Sequence, residues 1–373
     1  MVSVAVDPRA AEATRGGTHP GSGSRAPALP ALTGLRFYAA LAIVVVHFGV
    51  HLVPMGPLRT IAAHGDIGVS LFFVLSGFIL AYTYVNESGV RTPARAFWIA
   101  RFARVYPIYV FALLVALAPA IWTGQLTWGV ALSTLTLTQS WRADWATAWN
   151  PPAWSLSAEA CFYLCFPVIG AYLSRTRMLA LLVLLALMWV TSLALIFVAS
   201  TRGVAYETAV YHPLFRLPEF AFGVGLGIVF TRSGPWPRSA MVAPGAVLAL
   251  LVLVMTLGPA LARATLNAGL LTPVLGALLF ALAGGRGRLA ASLAAPISIS
   301  LGEASYALYL LHVPVWFWLT RVEGGSSAPD GYPLPFFLLY VALCVAVSLV
   351  AHRFIETPAR IRLRALVALG SAR

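Results

Sequence analysis

The feature that most constrains this chain is the recurrence of long apolar runs. Segments 35–54, 67–85, 105–123, 156–173, 178–199, 214–231, 240–258, 266–283, 303–320 and 335–354 are apolar over most of their length. About 20 such residues cover the hydrocarbon core of a bilayer as a helix. Backbone groups in that core must be bonded inside the protein, which helices do within one segment. Hydrophobic residues make up 60% of the chain and charged residues only 10%, well below the charge of soluble domains. The expectation is an all-α polytopic membrane protein with about ten transmembrane helices. A weaker apolar piece at 126–140 is too short for a span and reads as an interfacial or re-entrant helix.

A formal charge of +13 would point to nucleic acid in a soluble chain. Here the basic residues, all arginines, are explained by cytoplasmic loops, and no nucleic-acid partner is expected. With the N-terminus inside, most of the arginines fall on the cytoplasmic side, which places both termini there. Residues 1–31, rich in Gly, Pro, Ser, Ala and Arg, read as a disordered cytoplasmic tail. No cleavable signal peptide is recognised in that tail. Residues 32–360 form the membrane domain and 361–373 a basic cytoplasmic tail. Cys161, Cys165 and Cys344 lie in apolar segments and read as small packing residues.

Four stretches carry chemistry. In the first span, Arg36 and His47 are eleven residues apart, close to three helical turns, so they share a face about 16 Å apart. With Arg36 at one interface, His47 falls near the bilayer midplane. An ionisable residue at that depth points to function, although a histidine bonded to a neighbouring backbone satisfies the same pattern. A desolvated imidazole is neutral and able to accept a proton, the property of a general base. His51, one turn on, makes a possible metal pair with His47, but no third ligand follows at a convincing spacing, so no metal is expected.

The second stretch is the basic run Arg91, Arg95, Arg101 and Arg104. Arg101 and Arg104 lie on one helical face, and paired guanidiniums suit phosphate; positive-inside anchoring accounts for the same residues. In the third, Glu159 stands just inside an apolar span after the aromatic loop that precedes it. It either orients an imidazole or holds a polar acceptor, or it is an acid at a helix start capped by Ser155 or Ser157. In the fourth, Ser305, Tyr309 and His312 share one face, which lines an interior or bonds to neighbouring helices.

Taken in order, these stretches resemble the acyltransferase 3 family of integral-membrane O-acyltransferases. The resemblance rests on Thr33 to Phe37 with His47, the second span from Gly68 to Leu80, and Arg101 and Arg104 before Tyr106-Pro107. It continues through Trp154-Ser155-Leu156 with Glu159, Phe162, Tyr163 and Pro167, then Arg216, Glu219 and Phe220 before Gly223. Ser305-Tyr306, Tyr309-Leu310 and His312, and finally Glu356 with Pro358, complete it. Ser70 departs from the pattern, standing where many members carry an acidic residue.

The resemblance implies a single-domain enzyme moving an acyl group, acetyl foremost, from a cytoplasmic acyl-coenzyme A. The acceptor is a hydroxyl of a sugar, a cell-surface polysaccharide or a macrolide-type metabolite, and acyl-coenzyme A is a co-substrate with no further cofactor. Arg101 and Arg104 then bind donor phosphates, and Arg36 positions the donor or stabilises an oxyanion. His47 is the base, with Glu159 as its catalytic companion. Tyr306, Tyr309 and His312 bind the acceptor or support the site. Arg36, His47, Glu159 and His312 are expected around one cavity, in a bacterial cytoplasmic membrane. A transporter or flippase would use the same buried polar residues as a pathway, but would show paired helix breaks in two halves, and these are not evident.

Overall fold

Each of the ten apolar segments carries a helix in the computed structural model, which describes residues 27–86, 88–235, 244–257, 269–324 and 331–370. They are α1 (Pro30–Phe48), α2 (Ile67–Tyr84), α3 (Ala94–Val115), α4 (Trp154–Ser174) and α5 (Met178–Thr201). After them come α6 (Pro213–Ser233), α7 (Pro244–Leu257), α8 (Thr272–Ala283), α9 (Ser305–Glu323) and α10 (Leu334–Ala351). Among the described residues seven, α1 to α6 and α10, are long and apolar enough to cross a membrane. The number is eight if α8 and the following Gly287–Leu293, bent by 81°, form one broken span. Helix α9 is long enough but is diluted by Ser305, Tyr306, Tyr309, His312, Thr320, Arg321 and Glu323. It is an interior helix, with Ser305, His312 and Trp316 fully buried. The chain is a multi-pass membrane protein.

Several boundaries differ from the sequence expectation. Helix α1 starts at Pro30, inside the stretch read as a disordered tail; the rest of that tail, 1–26, lies outside the described residues. Proline is favoured in a first helical turn because its missing amide has no partner there anyway. The piece at 126–140 is a short helix, Trp128–Leu135, followed by a 3-10 turn at Gln139–Trp141. The basic C-terminal segment is helical as Thr357–Gly370, preceded by a π-helical turn at His352–Glu356. A two-residue hairpin pairs Val85–Asn86 with Gly89–Val90.

Glycines set the centre of the bundle. Helix α2 lies against α6 so closely that a Cβ on Gly77 would strike Phe220 O, and one on Gly223 would strike Val74 O. Small residues at such crossings let backbones approach and raise dispersion contact where no hydrophobic effect drives association. Two thirds of the residues in α2 and in the Tyr206–Ser233 segment are buried, whereas α5 keeps only 22% inside. The first two therefore form the interior and α5 the apolar rim.

Four prolines inside helices, Pro107, Pro167, Pro218 and Pro314, each leave a carbonyl without its usual donor, and at two of them a side chain fills the gap. Pro314 frees Leu310 O, which accepts from Asn150 Nδ2 at 3.0 Å. Pro167 frees Tyr163 O, which accepts from Trp98 Nε1 at 2.9 Å. Tyr309 Oη also donates to Pro152 O at 2.9 Å. The 3-10 turn Pro151–Ala153 that starts α4 is thus fastened twice to α9.

The packing argument is testable. Gly77→Ala should lower stability by about 1–3 kcal/mol through overpacking against backbone, read as a lower thermal midpoint in detergent micelles. Gly245→Ala, where an added Cβ meets nothing, should not.

Candidate active site

A cavity of about 240 Å³ opens among α1, α2, α3, α4 and α9. Its polar wall is made by Arg36 from α1, Arg101 and Arg104 from α3, Glu159 and Tyr163 from α4, and Tyr306 and Tyr309 from α9. Its apolar wall is mostly α2, including Val69, Phe72, Phe73 and Leu80. The chain thus brings together residues more than 250 positions apart, because α1 packs against both α2 and α9.

Arg101 is held by its surroundings: Nη2 donates to Tyr84 Oη at 2.9 Å, and the guanidinium lies over the rings of Tyr84 and Phe97. Its buried Nε has no partner. Arg36 lies within electrostatic reach of Arg104, Glu356 and Glu159. Among the described residues no ion pair engages Arg36, Arg101 or Arg104. Three guanidiniums around one cavity with no carboxylate bound to them make an anion site built from donors in surplus.

Glu159 sits beyond the first turn of α4 and faces the cavity. The helix-cap alternative is not realised. Ala153 is the N-cap and provides no side-chain bond. Ser155 donates to Pro152 O, and Ser157 is bonded to Ser140 at 2.7 Å.

His47 and His312 form a pair beside this cavity and are not among its lining residues. His47 Nδ1 lies 2.8 Å from His312 Nε2, with the rings 11° from parallel, and His312 Nδ1 lies 2.7 Å from Tyr309 O. A carbonyl can only accept, so His312 Nδ1 carries a proton. In the neutral ring His312 Nε2 then accepts, and His47 Nδ1–H donates to it. The lone pair of His47 is thereby fixed on Nε2. His312 is fully buried while His47 is exposed. Tyr309 joins the two centres, since its ring lines the cavity and its carbonyl anchors the pair.

Two sequence expectations need correction. His47 is in the last turn of α1, because the helix stops at Phe48, short of the end of the apolar run at 54. The four residues expected around one cavity divide into two adjoining groups, Arg36 with Glu159 and His47 with His312. His51 faces elsewhere, its Nε2 3.0 Å from Tyr332 O.

Sequence reasoning passed over Asn150, Tyr84 and Ser76. Asn150 had a legible signal, an amide near two prolines ahead of a helix; Tyr84 and Ser76 had none. It also left Ser70 open. Arg216 Nη2 donates to Ser70 Oγ at 2.8 Å and to Glu219 Oε2 at 3.0 Å, and Ser70 donates to Glu219 Oε1 at 3.4 Å. The serine thus takes part in a buried ion pair whose guanidinium lies over Phe73 and Trp154.

Comparison with known proteins gives the family. A family model described as an acyltransferase domain matches residues 29–353. The chain is 30% identical over 364 residues to the acyltransferase MdmB of Streptomyces mycarofaciens, covering 88% of this chain and 91% of that protein. It is 25% identical over 375 residues to the peptidoglycan O-acetyltransferase OatA of Listeria monocytogenes, covering 89% of this chain and 56% of that longer protein. No solved structure matches. The match spans the cavity and the histidine pair alike, and the chain belongs to the acyltransferase 3 family, the integral-membrane O-acyltransferases.

Proposed function

We propose that the protein transfers an acyl group, acetyl foremost, from acyl-coenzyme A to a hydroxyl of a sugar, cell-surface polysaccharide or macrolide-type metabolite. The observation that carries this reading is the chain from Tyr309 O through His312 to His47, set beside a cavity whose arginines form no ion pair among the described residues. The first is the wiring of an oriented general base. The second suits a polyanionic donor. The relatives' names support the reaction type: OatA is an O-acetyltransferase of peptidoglycan and MdmB an acyltransferase.

In this reading Arg101 and Arg104 bind donor phosphates, and Arg36, deeper along the cavity, guides the donor toward the histidines. His47 Nε2 takes the proton of the acceptor hydroxyl, whose oxygen attacks the thioester carbonyl. Collapse of the tetrahedral intermediate expels the thiolate, which recovers the proton from His47. His312 is the positioning residue, fixing tautomer and ring orientation as a buried partner does in other base-assisted transfers. Glu159 balances the arginine charge and offers an acceptor for a substrate hydroxyl. The exposure of His47 lets the acceptor approach from outside the donor cavity. We further propose ten spans in the cell membrane with both termini cytoplasmic, which puts Arg91, Arg95, Arg101 and Arg104 near the donor's compartment.

His47→Ala should abolish acyl transfer from labelled acetyl-coenzyme A while expression and thermal midpoint persist; substantial turnover would remove the base assignment. His312→Phe should lower kcat by roughly 10²–10⁴, the range of general-base catalysis, with the donor KM nearly constant. Replacing Arg101 and Arg104 by Ala should weaken acyl-coenzyme A binding, each lost charge-assisted contact costing about 1.5–3 kcal/mol. Calorimetric titration of the purified double variant reads that loss, and unchanged donor affinity would reduce the pair to a topology anchor.

A further inference from the structure

The cavity holds two tyrosines on the same helix that differ in one respect. Tyr309 Oη is committed to Pro152 O. Tyr306 Oη is buried, lines the same cavity and has no hydrogen-bond partner. Tyr163, across from it, has Ser76 Oγ at 3.5 Å. Tyr306 lies within electrostatic reach of Glu159 and Glu356, yet no hydrogen bond joins it to either. A buried hydroxyl is normally satisfied, and one left open toward a cavity marks where a ligand's acceptor atom belongs.

We propose that the Tyr306 hydroxyl is the hydrogen-bond donor to the thioester carbonyl oxygen of the acyl donor. This rests on the acyl-transfer reading and assigns it the group that receives developing negative charge. Three observations select that atom over a phosphate. The cavity already supplies three guanidiniums for anionic oxygens, and a neutral phenol adds little to a ground-state anion. A neutral donor is suited to a carbonyl that is uncharged when bound and becomes an oxyanion on attack, so its bond strengthens in the transition state. Along α9, Tyr306 precedes Tyr309 by about 4.5 Å and His312 by about 9 Å. Tyr309, whose ring lines the cavity and whose carbonyl anchors His312, links the position of a carbonyl bonded to Tyr306 with the histidine pair.

The step balances. The acceptor oxygen forms a bond to the carbonyl carbon as its proton passes to His47 Nε2, and the carbonyl π electrons move to the oxygen held by Tyr306 O–H. The oxyanion then re-forms the carbonyl and breaks the carbon–sulfur bond, and the thiolate takes the proton from His47. Tyr306 keeps its own proton throughout.

The test is Tyr306→Phe in the full chain, purified in detergent, with acetyl-coenzyme A carrying ¹³C at the acetyl carbonyl as the probe. Isotope-edited infrared spectra of the bound donor should show the carbonyl band at lower frequency in wild type than in the variant. Release of free coenzyme A thiol should fall by roughly 10²–10³ in the variant, the effect of losing one oxyanion donor, with donor affinity within about three-fold. The thermal midpoint of the variant should be no lower than wild type, because the lost hydroxyl bonds nothing in the protein. An identical band in both proteins, an unchanged release rate or a clear loss of stability would each overturn the assignment to Tyr306. Wild type that does not retain acetyl-coenzyme A removes the donor itself, and both readings fall; retention with an unmoved band removes Tyr306 alone.

Discussion

The amide that Pro314 lacks organises the site. In an apolar layer a carbonyl left without its donor must find another, and Leu310 O finds Asn150. That bond holds the turn from which α4 begins, and the Tyr309–Pro152 bond fixes its rotation. Glu159 and Tyr163 follow on α4, while Tyr306 and His312 flank Tyr309 on α9. Their relative register is thus set by two hydrogen bonds reaching from one loop to one helix.

The polar interior is of two kinds. Arg216, Glu219 and Ser70 bond one another, and the guanidinium also lies over Phe73. Such a group is costly to bury unless paired, and here its pairing braces the α2–α6 crossing. Arg36, Arg101 and Arg104 are charged but form no ion pair among the described residues. The contrast is one of charge: Arg216 has a carboxylate bound to it, and the three cavity guanidiniums have none among the described residues.

Much of this was legible in the sequence. Apolar run length placed all ten helices to within a few residues at most ends, and Arg36, Arg101, Arg104 and Glu159 do share a cavity. Hydropathy could not see that Pro30 to Ala31 already belongs to the first helix, nor that this helix stops at Phe48 with His47 in its last turn. Nor could spacing reveal the His47–His312 bond, which joins positions 265 residues apart. The broken segment after α8 was equally hidden, because Gly285 to Arg288 reads as an ordinary loop between spans. Satisfaction of proline-freed carbonyls is a three-dimensional matter, and only the general rule, not the partner, can be read in advance.

The way the histidine chain ends has a consequence for energy coupling. A carboxylate behind an imidazole would be an ion fixed within the membrane, but Tyr309 O is a backbone carbonyl that neither gains nor loses a proton. Behind His312 the chain therefore ends in an atom that cannot pass a proton on. In the proposed reaction the proton leaving the acceptor hydroxyl goes to the departing thiolate through His47 alone. The chemical step is then electroneutral with respect to the bilayer. Its rate should be indifferent to the membrane potential, and whatever drives it forward must come from the thioester bond.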